Sequence, residues 1–417
     1  MASIRLELPT IQNWSCHNCS GCCRQHMIEV TDEERERILG QGWNSADGDF
    51  KDQPVIVRTS RFSRSYRLAH RDDGGCVFLD EKGLCRIHAK FGESAKPLAC
   101  RIYPYTFHSA GRQVAVGLRF SCPSVVDNLG APVASQGAQL RDIAAQVVPP
   151  GVENDPPPEI TRGQRLDWKD FKRFLSALQA GLNEDDVSLS VRLRRILFWL
   201  DLVKQSRFDQ VRGRRLDEFL TLIRQAADIE DESEAEPPSR TGRVMFRLLV
   251  GQYARKDTLR DLDSGVANRL KLFVAALKFA RGRGPIPILQ DGFGGATFDQ
   301  LEQPFGIPDD AQEILTRYFQ VKVQSIHFCG RACYGLSLVE GFWSLALIYP
   351  SILWLARWLA VTAGRQALTA ADIQQAITVA DHHHGFSPAF GQAAFRRRTR
   401  ELSRRGDIGR LIGWYSR

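Results

Sequence analysis

The 417-residue sequence lacks the features of several specialised protein classes. No repeat runs along its length, and its 43% hydrophobic, 25% charged and 9% aromatic residues match the globular average. Collagen, coiled-coil and wholly disordered classes are therefore excluded. The first residues carry neither an apolar run of secretory length nor an Arg/Ser-rich presequence, so we expect a cytoplasmic location.

Cysteine is nearly absent after residue 122, where only Cys329 and Cys333 occur. In a reducing compartment, cysteines serve as metal ligands, nucleophiles or small buried hydrophobes more often than as disulfides. The first 122 residues contain eight cysteines, which is more than the packing of a small hydrophobic core explains. The predicted metal ligands are Cys16, Cys19, Cys22, Cys23, Cys76, Cys85, Cys100 and Cys122.

The net charge of +8 is weak evidence for nucleic-acid binding. Residues 1–130 hold 17 Lys and Arg against 15 Asp and Glu, whereas residues 391–417 hold eight Arg against two acidic residues. Within the arginine run from Arg396 to Arg410, no aromatic residue is interleaved for base stacking. We therefore expect a solvated or docking face there and no nucleic-acid binding.

Residues 1–146 are predicted to form a small module with short strands at IRLEL, PVIVRTS, SYRLAH and RQVAVGLRF. Thr31 and Glu34 form a capping-box pattern that opens a short helix. Residues 147–160 contain five prolines and are predicted to be a linker. In residues 161–417 apolar positions recur every three or four residues. The expected fold class is α+β, with a cysteine-rich metal-binding N-terminal module followed by a larger all-α domain.

Residues 342–361 form one apolar run with the length of a membrane span. Pro350 and Arg357 interrupt it, and an arginine in hydrocarbon costs at least about 2.5 kcal/mol. Two buried helices that meet near Pro350 explain the same residues. We therefore predict a buried core and no membrane partner.

The run CHNCSGCC places thiols at the two-residue spacing by which one loop wraps a metal centre. Three thiols and a remote fourth would complete either a zinc tetrahedron or a 4Fe-4S cube. The spacing, with Cys122 followed by Pro123, slightly favours an iron–sulfur cluster over zinc. Adjacent side chains tend to point apart, so at most one of Cys22 and Cys23 is expected to share a centre with the two preceding cysteines. Some sulfurs could be replaced by His17, His26, His70, His88 or His108.

An ordered series of short motifs follows the first cysteine run. It consists of CVFL at 76–79, CRIH at 85–88, KP at 96–97, CR at 100–101 and YP at 103–104. Together with CHNCSGCC, this series resembles the YkgJ-like cysteine-cluster family over residues 14–125. The family commonly has Arg-Pro at 96–97 and Phe-Pro at 103–104, which leaves the ligand set intact. The resemblance implies a zinc- or iron-chelating domain.

The same resemblance carries a hypothesis about activity, because the family includes proteins named flagellin lysine N-methylase. It implies a protein-lysine methyltransferase that uses S-adenosylmethionine on a substrate such as flagellin. The nearest lookalike to a cofactor loop, residues 288–295, is better interpreted as a plain turn. The alternative is a non-catalytic, metal-stabilised interaction protein.

Several residues outside the predicted ligand set could have either a functional or a purely structural role. Cys329 and Cys333 could bind metal with one of His382–His384 or complete the N-terminal site, but two buried small residues are the stronger interpretation. Thr369 with Asp372 predicts the cap of the helix that ends at these histidines. Arg86 and Arg101 each follow a cysteine and could either balance the charge of a thiolate cluster or form surface salt bridges.

Overall fold

The computed structural model describes residues 4–43, 50, 53–59, 63–229, 236–255 and 265–417. A cysteine-rich region with two small sheets precedes a mostly helical part, which confirms the predicted fold class. In the described residues the strands are β1 (Leu6–Glu7), β2 (Glu29–Val30), β3 (Ile56–Arg58), β4 (Tyr66–Leu68), β5 (Tyr105–Ser109) and β6 (Val114–Leu118).

The strands form two three-stranded sheets. One has the order β1-β6-β5, with β1 parallel and β5 antiparallel to β6. The other is antiparallel, with the order β2-β4-β3. Every residue of β6 is buried, as expected for a central strand of mainly apolar residues. A Cβ on Gly117 of β6 would lie 2.7 Å from Ser325, so glycine permits the sheet and a helix end to approach closely.

Helices account for most of the described chain after residue 120. Capping boxes at Thr31 with Glu34 and at Thr369 with Asp372 confirm the predicted helix starts. The helices are α1 (Gly21–Gln25), α2 (Asp32–Gly40), α3 (Arg86–Phe91), α4 (Leu98–Ile102), α5 (Pro123–Val126), α6 (Gly137–Val147), α7 (Trp168–Leu182), α8 (Leu189–Gln205), α9 (Arg214–Ile229), α10 (Arg240–Tyr253), α11 (Gly265–Arg281), α12 (Phe298–Leu301), α13 (Asp309–Gln324), α14 (Leu338–Ala346), α15 (Ile348–Thr362), α16 (Ala370–His383), α17 (Pro388–Gly391), α18 (Ala393–Arg404) and α19 (Asp407–Tyr415).

Two hydrophobic cores hold these elements together. The smaller core lies between Val30 and Ile87 and is covered at one edge by Cys76 and Cys85. The larger core joins strands β5 and β6 to the helices that follow. The proline-rich segment 147–160 contains a short 3₁₀ turn and ends at the buried Ile160. The domain boundary placed there stays a prediction.

The apolar run forms the core helices α14 and α15, which meet at Leu347, three residues before Pro350. Within the described residues, Leu338–Thr362 is long and apolar enough to cross a membrane, and 89% of its most apolar window is buried inside the protein. Two core helices meeting at this point agree with the prediction made from Pro350 and Arg357.

Arg357 shows how the core accommodates a charge. Its side chain is fully buried, and its guanidinium donates to the carbonyls of Leu301 and Tyr415 at 2.9 Å and of Arg417 at 3.0 Å. Burial lowers the pKa of this guanidinium to about 10. Helix-terminal carbonyls therefore satisfy the cation in place of water.

Candidate metal centre

The CHNCSGCC run forms a loop that leads into the short helix α1. Cys16 and Cys19 lie exposed in the loop, while Cys22 and Cys23 are half-buried in α1. Ser20, immediately before the helix, has a φ of 60°, in the left-handed region. This sharp reversal brings the loop thiols and the helix thiols to the same side of the chain.

Two backbone contacts hold the next cysteine segment against this run. A Cβ on Gly83, whose φ is +81°, would lie only 2.4 Å from the carbonyl oxygen of Asn18. Glycine is therefore required where the two segments touch. The amide of Cys76 donates to the carbonyl of Cys23 at 2.8 Å. These contacts bring Cys76 and Cys85 to the first four thiols.

The remaining thiols come from short helices. Cys85 precedes α3 as its N-cap residue, and Cys122 precedes α5 in the same way. Cys100 lies within α4, and Pro97 is the N-cap residue of that helix. Cys85, Cys100 and Cys122 are therefore each placed by a short helix.

One cavity of about 900 Å³ collects all of these side chains. Its wall also includes histidines, cations and an aromatic ring that come from other segments. The lining includes Cys16, Cys19, Cys22, Cys23, Cys76, Cys85, Cys100, Cys122, His26, His70, His88, Lys96, Tyr103 and Arg119. Five separated stretches of chain thus supply the eight thiols that the sequence predicted as ligands.

The donor chemistry of this cavity fits a thiophilic metal. The sulfurs of Cys22 and Cys23 lie 3.9 Å apart, close to the edge of about 3.8 Å that a tetrahedron with Zn–S bonds of 2.3 Å requires. The expectation that these adjacent side chains point apart is wrong, because both line the cavity. Among the described residues, no three Cys, His, Asp or Glu side chains are gathered tightly enough to hold an ion. The full ligand assignment stays a prediction.

The thiols favour their protonated form. Burial raises the pKa of the Cys76 and Cys122 thiols to about 11. Burial, with the neighbouring Cys76, also raises the pKa of Cys100. The pKa of Cys22 is raised by its hydrogen bond with Cys23 and then by burial. A metal cation must therefore displace protons from these thiols, and its affinity falls as the pH falls.

Two cations line the cavity, and they differ from the two that the sequence suggested. The charge of Lys96 offsets part of the rise in the pKa of Cys22 and Cys100, and Arg119 lies with its guanidinium over Phe386 at 3.7 Å. Arg86 instead lies 5.8 Å from the ring of Phe50.

Arg101 also lies away from the cavity wall, because it donates to the side chain of Gln146 at 3.3 Å. Neither Arg86 nor Arg101 lines the cavity, and the charge balance by these two arginines stays a prediction.

Three of the five suggested histidines, His26, His70 and His88, line the cavity. His17 donates to the carbonyl of Ser15 at 2.7 Å and is absent from the wall. His108 lies on β5 and stacks on another histidine, His327, at 4.8 Å between ring centres.

The C-terminal cysteines and the cofactor-like loop have the ordinary roles predicted for them. Cys329 and Cys333 are 1% and 0% exposed and do not line the cavity. Residues 288–295 contain a turn with Gly292 at a φ of +92°, and no long helix follows. Neither feature adds a described ligand to the thiol cavity.

A buried ion pair that the sequence did not reveal lies behind the cavity. Lys322 and Asp381 are both fully buried, and their charged atoms lie 2.5 Å apart. Asp381 also accepts a hydrogen bond from the amide of Ser121, close to Cys122. Spacing could not reveal this pair, because its members are far apart in the chain.

Comparison with known proteins supports the metal-binding character of the N-terminal part. Residues 15–120 match the family model CxxCxxCC, described as "Putative zinc- or iron-chelating domain". The match covers about a quarter of the chain and confirms the resemblance to the cysteine-cluster family. The chain therefore carries a domain of the zinc- or iron-chelating type.

A curated relative is "Uncharacterized protein MJ0939" of Methanocaldococcus jannaschii, which is 24% identical over 172 residues. The alignment covers 39% of this chain and 58% of the relative, so the chain spans less than two thirds of that protein's length. No solved structure matches the chain.

Proposed function

We propose that residues 15–120 bind metal through cysteine thiolates and that the bound group is an iron–sulfur cluster rather than zinc. One observation carries the proposal. Eight thiols from five chain segments line a single cavity of about 900 Å³. A well-formed pocket in which several polar donors converge is the usual place for a bound group.

One feature favours iron–sulfur over zinc. The spacing of Cys16, Cys19 and Cys22 is that of a ferredoxin loop. The count of eight thiols does not separate the two groups, because a 4Fe-4S cluster and a structural zinc ion each take four ligands. An iron–sulfur cluster supplies one-electron transfer when it is bound.

The remaining cavity residues prepare the site for a group with a negative charge. A cluster held by four thiolates is anionic, and Lys96 and Arg119 present positive charge to the same cavity. Cys100 is half-buried and Cys122 is buried, which limits the access of water to that part of the wall. Limited solvent access and nearby charge are the two properties by which proteins tune the potential of a cluster.

The test is metal analysis of the full chain purified without oxygen, combined with its optical spectrum. We expect a brown protein with a broad visible absorption band and with iron and sulfide in equal amounts. Cys22→Ser and Cys100→Ser should each lose most of this absorption. Colourless protein with stoichiometric zinc would reject the iron–sulfur assignment and retain metal binding.

Cys329→Ser is the matched control for these variants. It also changes a buried thiol to a hydroxyl, but it lies outside the cavity. We expect its metal content and spectrum to equal those of the parent protein. Equal loss in Cys329→Ser and Cys100→Ser would show that instability, rather than ligand loss, removes the metal.

Methyl transfer to a protein lysine is a separate proposal that rests on the family resemblance. The match over residues 15–120 supports the metal domain and leaves the reaction open. Calorimetric titration of the metal-loaded protein with S-adenosylmethionine tests it, with flagellin as the protein substrate in a methylation assay. Absence of cofactor binding would favour the alternative of a metal-stabilised interaction protein.

A further inference from the structure

Helix α11 (Gly265–Arg281) packs against α10 (Arg240–Tyr253) through one face. Ala275 and Phe279 on this face are only 4% and 1% exposed. Gly251 of α10 lets the ring of Phe279 approach, because a Cβ there would lie 3.0 Å from the ring. This face attaches α11 firmly to the helical part.

The opposite face of α11 carries a second apolar stripe, and this one is exposed. Val266, Leu270, Phe273, Val274 and Leu277 are 81%, 63%, 62%, 44% and 42% exposed. At 100° per residue they fall within an arc of about 100°, and the centre of this arc lies about 170° from the buried pair. We call these five residues the α11 stripe.

Exposure of this kind is unusual in a folded chain. Single exposed apolar side chains are common, but a contiguous apolar patch marks an interaction surface. The stripe spans about 16 Å along the helix, at 1.5 Å per residue. It protrudes as a ridge, because α11 lies on the protein body through the opposite side.

The charged residues of α11 itself are all positive. Arg269 lies beside one edge, Lys271 and Lys278 lie beside the other, and Arg281 follows at the C-terminal end. All four are exposed, and no Asp or Glu occurs in the 17 residues of the helix. A second copy of this surface would place like charges against each other.

We propose that the α11 stripe binds the surface of an anionic lipid membrane. Large apolar side chains on one face of a helix with lysine and arginine along its flanks are the pattern of helices that lie in the membrane interface. A ridge matches a flat, deformable surface, whereas a partner protein would need a groove lined with acidic residues. Binding at the surface is compatible with the burial of α14 and α15, since no helix needs to cross the bilayer.

The test is flotation of the full chain with vesicles of phosphatidylcholine alone or with 30% phosphatidylglycerol. We expect binding to the anionic vesicles, weakened by salt. Leu270→Glu with Phe273→Glu should lower the partition coefficient about 100-fold or more, because each large apolar side chain contributes about tenfold or more. Lys271→Gln with Lys278→Gln should lower it about 25-fold on anionic vesicles.

Leu222→Glu on α9 is the matched control, because Leu222 is 65% exposed and lies outside the stripe. We expect it to bind vesicles like the parent protein. Failure of the full chain to bind anionic vesicles at low salt would overturn the proposal, as would equal loss in the control. If the stripe variant abolishes a dimer in sedimentation but keeps vesicle binding, the stripe belongs to a second copy instead.

Discussion

The buried pair of Lys322 and Asp381 should be one of the most sensitive points of the fold. Their charged atoms lie 2.5 Å apart with both side chains fully buried. Asp381 also accepts hydrogen bonds from Tyr318 at 3.3 Å and from the amide of Ser121 at 3.0 Å. Lys322 donates to His327 at 3.1 Å. The pair therefore joins α13 and α16 to the chain that leaves β6 toward Cys122.

Removing one partner leaves an uncompensated charge in a place without water. Lys322→Met and Asp381→Asn should each lower the free energy of unfolding by about 3–5 kcal/mol. The double variant removes both charges together, so its loss should be well below the sum of the two single losses. The difference measures the coupling between the two side chains.

Urea unfolding of the metal-loaded protein, followed by tryptophan fluorescence and circular dichroism, measures these losses. Arg400→Gln is the matched control, because Arg400 forms an ion pair with Glu340 at 2.6 Å but is 43% exposed. Its loss should be at most about 1 kcal/mol. The reasoning is refuted if Lys322→Met costs no more than Arg400→Gln, or if the two single losses simply add.

Three further outcomes follow from the same structure. Burial lowers the pKa of His384 to about 3 and that of His327 well below its usual value, so the unfolded state binds more protons below pH 6.5. The histidine contribution to the free energy of unfolding should be constant above that pH. It should fall as the pH decreases toward 4, by up to about 1.4 kcal/mol per pH unit for each histidine. A urea midpoint that is unchanged from pH 7 to 4.5 would contradict this prediction. The charge of Lys96 favours the thiolate forms of Cys22 and Cys100, so Lys96→Met should lower metal affinity at pH 7 about tenfold in a chelator competition. Chelation of the metal should lower the urea midpoint of the parent protein, because the free energy of metal binding adds to the free energy of unfolding. An unchanged midpoint would show that metal binding does not stabilise the fold.

Much of the local structure was predictable because it depends on neighbours in the sequence. Thr31 and Thr369 each cap a helix through the third residue that follows, and the capping box needs no contact from elsewhere. The apolar run at 342–361 was recognised as core because Arg357 is too costly in hydrocarbon and is satisfied by carbonyls in a protein interior.

The eight clustered cysteines were also recognisable, since their density exceeds what packing explains. The arrangement of the side chains around these cysteines was not recognisable from the sequence. Cys22 and Cys23 were expected to diverge, yet their sulfurs lie 3.9 Å apart. Lys96 and Arg119 replace Arg86 and Arg101 as the cations of the cavity.

Residue types and spacing were thus sufficient for the class of fold, the thiol-rich module and the helix caps, because short-range sterics and hydrogen bonds produce these features. The partners within the cavity, the pairing of Lys322 with Asp381 and the exposed α11 stripe depend on how distant elements pack. No local pattern encodes these contacts, since the energy of a buried charge or an exposed apolar side chain depends on everything that surrounds it in the folded chain.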